Sequence, residues 1–101
     1  MTEPFDDGEV ESDAEIDRFR AILAQRIDNG LVKIMADHES RAWMWALLAE
    51  CGVFQSSFDR DALIMAVREG RRDIGLRLYK QLQEVAPQEY LIMASEAATL
   101  A

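Results

Sequence analysis

The sequence has few of the residues that carry covalent or metal chemistry. Among 101 residues there is one cysteine, Cys51, and one histidine, His38. A single cysteine excludes a disulfide within the chain and is typical of a reducing compartment. A metal site needs three or four His, Cys or carboxylate ligands at defined spacings, and the sequence contains no such pattern. We therefore expect no cofactor and no enzymatic activity.

Long hydrophobic runs are missing as well. Half of the residues are hydrophobic, yet no stretch approaches the roughly 18 consecutive apolar residues of a membrane span. The start of the chain is acidic and lacks the apolar segment of a secretory signal. The length suits one domain with its own core. These features predict a single water-soluble domain without a membrane span.

The chain also lacks a surplus of basic residues, since its net charge is −8. The first seventeen residues contain eight acids and no base, whereas residues 18–101 contain eleven of each. Nucleic-acid binding needs a surplus of lysine and arginine, so nucleic acid is not the expected partner. The acidic start is typical of a solvated, disordered terminus; the alternative is an electrostatic tether for a basic partner. We predict a flexible arm at residues 1–11 and a helical domain at residues 12–101.

Hydrophobic periodicity predicts an all-α fold, a compact bundle of four or five helices. Ser12 and Glu15 form a capping-box pattern at the start of the first helix, and Asn29-Gly30 predicts its end. A short second helix is expected near residues 31–35. The apolar stripe of the first helix consists of Ile16, Phe19, Leu23 and Ile27.

The third helix is predicted near residues 40–52. Trp43 and Trp45 fall on opposite flanks of its apolar stripe, because residues two apart do not share a face of a helix. A helix that is apolar nearly all round is buried by several neighbours, so we expect this helix to be central. Its stripe consists of Met44, Leu47, Leu48 and Cys51.

The fourth helix is predicted to begin at a cap on Asp59 and to extend to about Val85, and Pro87 is expected to begin the last helix. The connector before the fourth helix carries Phe54 and Phe58, which we expect to be buried. The core stripe of the fourth helix is predicted to consist of Leu63, Val67, Gly70, Ile74, Leu78, Gln81 and Val85, with Ile64 and Leu82 alongside.

Arg71 projects into this predicted stripe, where its charge needs a partner because a buried unpaired ion is strongly unfavourable. Backbone carbonyls or a carboxylate of the same chain are the expected partners. Gly70 and Gly75 lie near the same side, and each costs about 1 kcal/mol relative to alanine within a helix. We therefore expect the glycines to permit close approach of another segment, with the loop that carries Phe54 and Phe58 as the neighbour.

The opposite side of the fourth helix carries methionine, tyrosine and arginine, which are enriched in protein interfaces. Two interpretations stay open: the side binds a partner, or the first or last helix covers it as ordinary core. The candidate partner-binding residues, including one tryptophan of the third helix, are Trp45, Met65, Arg68, Arg72, Leu76 and Tyr79.

Two motifs resemble a known family. They are Cys51-Gly52-Val53-Phe54 with Ser56-Ser57-Phe58, and Glu69-Gly70-Arg71-Arg72 with Gly75-Leu76. From about residue 31 to residue 91 the chain resembles the small proteins encoded among the head and portal genes of tailed bacteriophages, the group named after a Bordetella phage protein. The resemblance implies a non-enzymatic phage protein associated with the particle. The motif residues expected to be structural are Cys51, Gly52, Phe54, Phe58, Gly70, Arg71 and Gly75.

Two functional hypotheses follow. The first is a virion-associated protein, either a head, portal or tail component or an internal, ejected protein. It would bind a phage portal, capsid or tail protein, with a homo-oligomer as a further option, and would occur in the virion and, during assembly, in the host cytoplasm. The second is an intracellular phage regulator that binds a host protein and whose acidic arm imitates nucleic-acid charge. Deletion of residues 1–11 distinguishes the two, because only the second depends on the arm.

Overall fold

The computed structural model describes residues 9–100, with side chains described from residue 12. This part of the chain contains four α-helices and no strand, so the predicted all-α fold is confirmed. The predicted acidic arm lies mainly outside the described residues; its last three residues belong to the first helix. The helices are α1 (Glu9–Met35), α2 (His38–Glu50), α3 (Ala62–Val85) and α4 (Pro87–Leu100).

The chain divides into two compact units, residues 1–30 and residues 31–101. In the first unit, the predicted boundaries of the first helix are wrong. Ser12 lies inside α1 rather than at its cap, and the helix continues through Asn29 and Gly30 to Met35. Gly30 does not adopt a positive φ, so the stop signal is not used. The cost of about 1 kcal/mol for a glycine in a helix is small enough for the surrounding helix to outweigh.

Most of the apolar stripe of α1 is exposed. Phe19 is 66% exposed, and Leu23 and Ile27 are each 45% exposed. Ile16 is half-buried. The predicted helical spacing of these residues is confirmed, since all four lie in α1.

The core of the second unit is formed where α2, α3 and α4 pack against one another. The predicted α2 stripe is confirmed, because Met44 and Leu48 are buried and Leu47 and Cys51 pack against the core. Trp43 is 59% exposed. The expectation that neighbours enclose α2 on every side is therefore wrong. The buried hydrophobic residues are Leu31, Met35, Met44, Leu48, Val53, Leu82, Ala86 and Met93.

Aspartates cap two of these helices. The Asp37 carboxylate accepts hydrogen bonds from Ser40 N and Ser40 Oγ, each 2.8 Å long, at the start of α2. At α3 the cap is Asp61, which accepts from Leu63 N at 2.9 Å. The predicted cap, Asp59, instead accepts from Asp61 N at 2.8 Å and shapes the turn before the helix. Pro87 begins α4 as predicted.

The first half of the predicted core stripe of α3 is exposed, whereas part of its second half packs against the core. Leu63, Val67 and Ile74 of the predicted core stripe are 79%, 57% and 59% exposed. The buried residues of the helix are Gly75 and Leu82. Of the predicted stripe, Leu78 and Val85 pack against the core as half-buried residues.

The contact at Gly75 determines which side of α3 meets the end of α2. A Cβ atom at Gly75 would lie 2.5 Å from Val53 Cγ2 and 2.6 Å from Cys51 Cβ, so the end of α2 approaches α3 too closely for any side chain there. The expected close approach is therefore confirmed at Gly75. At Gly70 it is wrong, because no atom lies within 4 Å of the corresponding position.

Candidate functional site

The loop between α2 and α3 is fastened to α3 by two arginines. Arg72 Nε donates a hydrogen bond of 3.1 Å to the Gln55 carbonyl. Arg68 Nη1 lies 3.3 Å from the Phe58 carbonyl and 3.2 Å from Asp59 Oδ2. Both side chains were predicted to contact a partner. The structure gives them a role in holding the loop, and their part in partner binding stays a prediction.

Arg71 does not dock the loop as predicted, because it is exposed rather than buried. The chain therefore has no buried charge at this position to compensate. The loop itself begins with Gly52, whose φ of 78° is in the left-handed region that favours glycine. Its N–H donates to the Ala49 carbonyl at 2.9 Å, which ends α2.

Aromatic rings join the loop to α2, α3 and α4. Phe54 stacks on Trp45 with ring centroids 4.6 Å apart, and Trp45 lies 6.4 Å from Tyr90. Tyr90 meets Tyr79 edge to face at 5.2 Å. Burial, with a smaller contribution from Tyr79, raises the pKa of Tyr90. The prediction that both loop phenylalanines are buried is wrong, since Phe54 is 46% and Phe58 is 70% exposed.

Two of the residues predicted to project outward from the fourth helix lie on its inner side. Leu76 and Tyr79 are half-buried and pack against the core. Met65 is also half-buried, and Trp45 is held in the aromatic cluster. For Leu76 and Tyr79 this packing agrees with the alternative interpretation, ordinary core, and the part of all four residues in partner binding stays a prediction. The reason for the packing is the contact at Gly75, which fixes the side of α3 that meets α2.

The exposed apolar residues of α3 form a surface along its first half, between residues 63 and 74. We call this surface the α3 outer face, and its apolar members recur at spacings of three, four and seven residues, which keeps them on one side of a helix. A shallow groove of about 280 Å³ is lined by its first part together with Arg68. The α3 outer face consists of Leu63, Ile64, Val67, Arg71 and Ile74.

A second, more polar depression lies between the loop and α3. Its volume is about 240 Å³, and its lining includes Ser56, Ser57, Arg68 and Arg71. Arg71 therefore borders both depressions. Glu50 and Cys51 line the depression as well, so it presents hydroxyl, carboxylate, thiol and guanidinium groups on one concave surface.

A charged cluster joins α2 to α4 and was not predicted. Arg41 donates two hydrogen bonds to Glu96, from Nε to Oε1 at 2.8 Å and from Nη2 to Oε2 at 2.9 Å. Arg41 Nη1 also donates to the Met35 carbonyl at 2.9 Å, and His38 Nδ1 lies 2.6 Å from Glu96 Oε2. The partners are 55 and 58 residues apart in the chain, so no local pattern in the sequence indicates the cluster.

The electrostatics of this cluster indicate a structural pair. Hydrogen bonds from Arg41 and then from His38 lower the pKa of Glu96 to about 2. The bond to Glu96 raises the pKa of Arg41. Hydrogen bonds from Ser40 lower the pKa of nearby Asp37. A carboxylate stabilised so strongly in its charged form is a poor proton acceptor near neutral pH.

The described residues contain neither a metal-binding cluster nor a membrane-spanning helix. Within residues 12–100, no three His, Cys, Asp or Glu side chains lie close enough together to hold a metal ion. Of the helices described, none has both the length and the apolar character needed to cross a membrane.

Comparison with known proteins gives one match. The model of a protein family described as Bbp19-like phage protein matches residues 32–95, well over half of the chain. The matched range contains α2, α3, the loop between them and most of α4. No curated protein and no solved structure matches the chain.

Proposed function

The chain belongs to the family of Bbp19-like phage proteins, and from this membership we propose that it is a non-enzymatic, virion-associated protein that binds another phage structural protein. The partner is a portal, capsid or tail component. The protein is found in the virion and, before assembly is complete, in the host cytoplasm. The observation that carries this proposal is the α3 outer face.

The α3 outer face has the composition of a binding surface. Leu63, Val67 and Ile74 are each more than half exposed. Complete burial of such a side chain contributes about 1.5–3 kcal/mol relative to leaving it in water, so a partner that covers all three gains a substantial part of its binding energy there. Clustered apolar side chains on the surface of a small protein mark interaction sites more often than isolated ones do.

The charge in this face specifies the chemistry of the partner. Arg71 is exposed between Val67 and Ile74, and it is the charged member of the α3 outer face. A partner therefore needs an apolar surface with a carboxylate opposite the guanidinium group. Arginine beside apolar anchors is typical of the energetically important part of an interface. The whole face lies within the residues that match the family.

Copy-number mass spectrometry of purified phage particles tests the proposal. The wild-type chain should be present in a fixed ratio to the major capsid protein. Val67→Asp places a charge in the centre of the α3 outer face and should reduce incorporation at least tenfold. Ala66→Asp is the matched control, because it introduces the same charge on an exposed residue about 100° further round the same helix. It should be incorporated at the wild-type level.

The experiment tests the contact surface and the presence of the protein in the virion separately. Equal incorporation of the two variants would show that the α3 outer face is not the contact. Absence of the wild-type chain from particles, despite expression in infected cells, would contradict a virion role. That result would favour the second hypothesis, a regulator that binds a host protein, and deletion of residues 1–11 would then be the next variant.

A further inference from the structure

We propose that α1 pairs with α1 of a second copy of the chain in an antiparallel arrangement. The proposal concerns the stripe of Ile16, Phe19, Leu23 and Ile27, which lies in the unit formed by residues 1–30 and is separate from the α3 outer face. Its failure would leave incorporation into particles through α3 unaffected.

The α1 stripe needs a covering surface. In proteins, most of the stability of a helix comes from the packing of its amphipathic face, because propensity alone contributes little. Phe19 is 66%, Leu23 45% and Ile27 45% exposed, and Ile22 beside them is 55% exposed. Three or four large side chains on one side of a regular helix are the pattern that a second helix covers.

The spacing of the stripe suits pairing with itself. Its centre lies near residue 21, between Phe19 and Leu23. When two copies run in opposite directions about that point, Phe19 of one copy lies level with Leu23 of the other. Ile16 then lies within about one residue of Ile27 of the other copy, a displacement of about 1.5 Å along the axis. All four side chains of the stripe therefore meet an apolar counterpart.

The charges of α1 select a second copy and fix its direction. Residues 9–17 contain five acids and no base, and residues 18–27 contain three arginines and no acid. A parallel pair would bring the two acidic segments together. An antiparallel pair about residue 21 instead brings Glu15 and Asp17 of each copy to the level of Arg26 of the other, to within about one residue. Charge complementarity of this kind determines partner and orientation in paired helices.

One pair of residues makes the prediction specific. Glu15 and Arg26 are eleven residues apart, about three turns, and so lie on the same flank of the stripe. Both are exposed. In the antiparallel arrangement about residue 21, Glu15 of one copy lies within about one residue of Arg26 of the other, and the two-fold symmetry produces this contact twice.

Sedimentation equilibrium of the full chain tests the pairing. The wild type should have twice the mass of one chain, with a Kd that the concentration series measures. Leu23→Asp should raise that Kd at least a hundredfold. Gln25→Asp, on the polar side of the same helix, is the matched control and should leave the Kd within about threefold of wild type. A wild type that stays monomeric at all concentrations, or equal effects of the two variants, would overturn the proposal.

A charge exchange tests the direction even if Leu23→Asp unfolds α1. Glu15→Arg and Arg26→Glu should each weaken the dimer by on the order of tenfold, since each converts two attractive contacts into repulsive ones. The double variant, Glu15→Arg with Arg26→Glu, should return to within about threefold of the wild type. In a parallel pair these residues do not face each other, so a double variant as weak as the sum of the single ones would overturn the antiparallel arrangement.

Discussion

The two sides of α3 are similar in composition and opposite in environment. One side carries Leu76, Tyr79 and Leu82, which lie in or against the core, and the other carries Leu63, Val67 and Ile74, each more than half exposed. Hydrophobicity alone therefore does not determine which side of this helix is buried. The decisive feature is Gly75, where the missing side chain lets Val53 and Cys51 approach the helix backbone. The outer side is then left exposed.

The largest loss of stability should come from removing a buried side chain on the inner side of α3. Leu82 is completely buried, and Leu82→Ala should lower the free energy of unfolding by about 3 kcal/mol, because it removes apolar burial and leaves a cavity. Val67→Ala on the outer side should change it by about 0.5 kcal/mol or less. Urea unfolding followed by circular dichroism measures both. Equal losses would contradict the assignment of the two sides.

The two glycines of α3 sharpen the comparison further. Gly75→Ala should destabilise the protein by about 2 kcal/mol, since the new Cβ would overlap Val53 and Cys51. Gly70→Ala should stabilise it by about 1 kcal/mol, because the position is open and alanine favours the helix. Thermal unfolding of the two variants should therefore give Tm shifts of opposite sign. Shifts of the same sign would show that the contact at Gly75 does not fix the helix.

Replacing Arg72 and replacing Arg71 should affect stability differently, by a smaller margin than the glycine variants. Arg72→Met removes the hydrogen bond to the Gln55 carbonyl and should lower the free energy of unfolding by about 1 kcal/mol. Arg71→Met should be neutral within about 0.5 kcal/mol, because Arg71 is exposed. Hydrogen exchange of residues 53–60 should become faster in the first variant alone. Faster exchange in both would contradict a specific role for Arg72.

The smallest effect concerns pH and the charged cluster between α2 and α4. The folded pKa of Glu96 is about 2, below its ordinary value of 4.5. Because this pKa is depressed, the stabilisation is fully present above about pH 4.5 and is lost as the pH falls towards 2. Wild-type stability should fall more steeply over this interval than that of Glu96→Gln. Parallel pH profiles for the two proteins would contradict the pairing with Arg41.

How far the sequence predicts the fold depends on whether the deciding contact is local. The buried side of α2, with Met44 and Leu48, follows from periodicity, and the start of α4 at Pro87 follows from the chemistry of proline. The close approach at Gly75 is also indicated by the cost of a glycine in a helix. Each of these is indicated by a local sequence signal, although the residues that approach Gly75, Cys51 and Val53, are distant in the chain.

The predictions that failed depend on contacts between distant segments. α3 is apolar on two sides, and its core side is set by residues 51 and 53 of the preceding loop and helix end. Arg71 was assigned to the loop, whereas Arg68 and Arg72 make the bonds. Arg41 and Glu96 are far apart in sequence, so no spacing rule could join them. The side of α3 that is left exposed, and with it the candidate site, could therefore not be predicted from the sequence.

Hydroxyl-radical footprinting of the protein, free and within purified phage particles, tests the central claim most directly. In the free protein, Leu63, Val67 and Ile74 should be oxidised readily and Leu82 slowly. In particles, oxidation of the three exposed residues should fall severalfold while that of Leu82 stays low. Unchanged oxidation of the α3 outer face in particles that contain the protein would contradict its role as the contact surface.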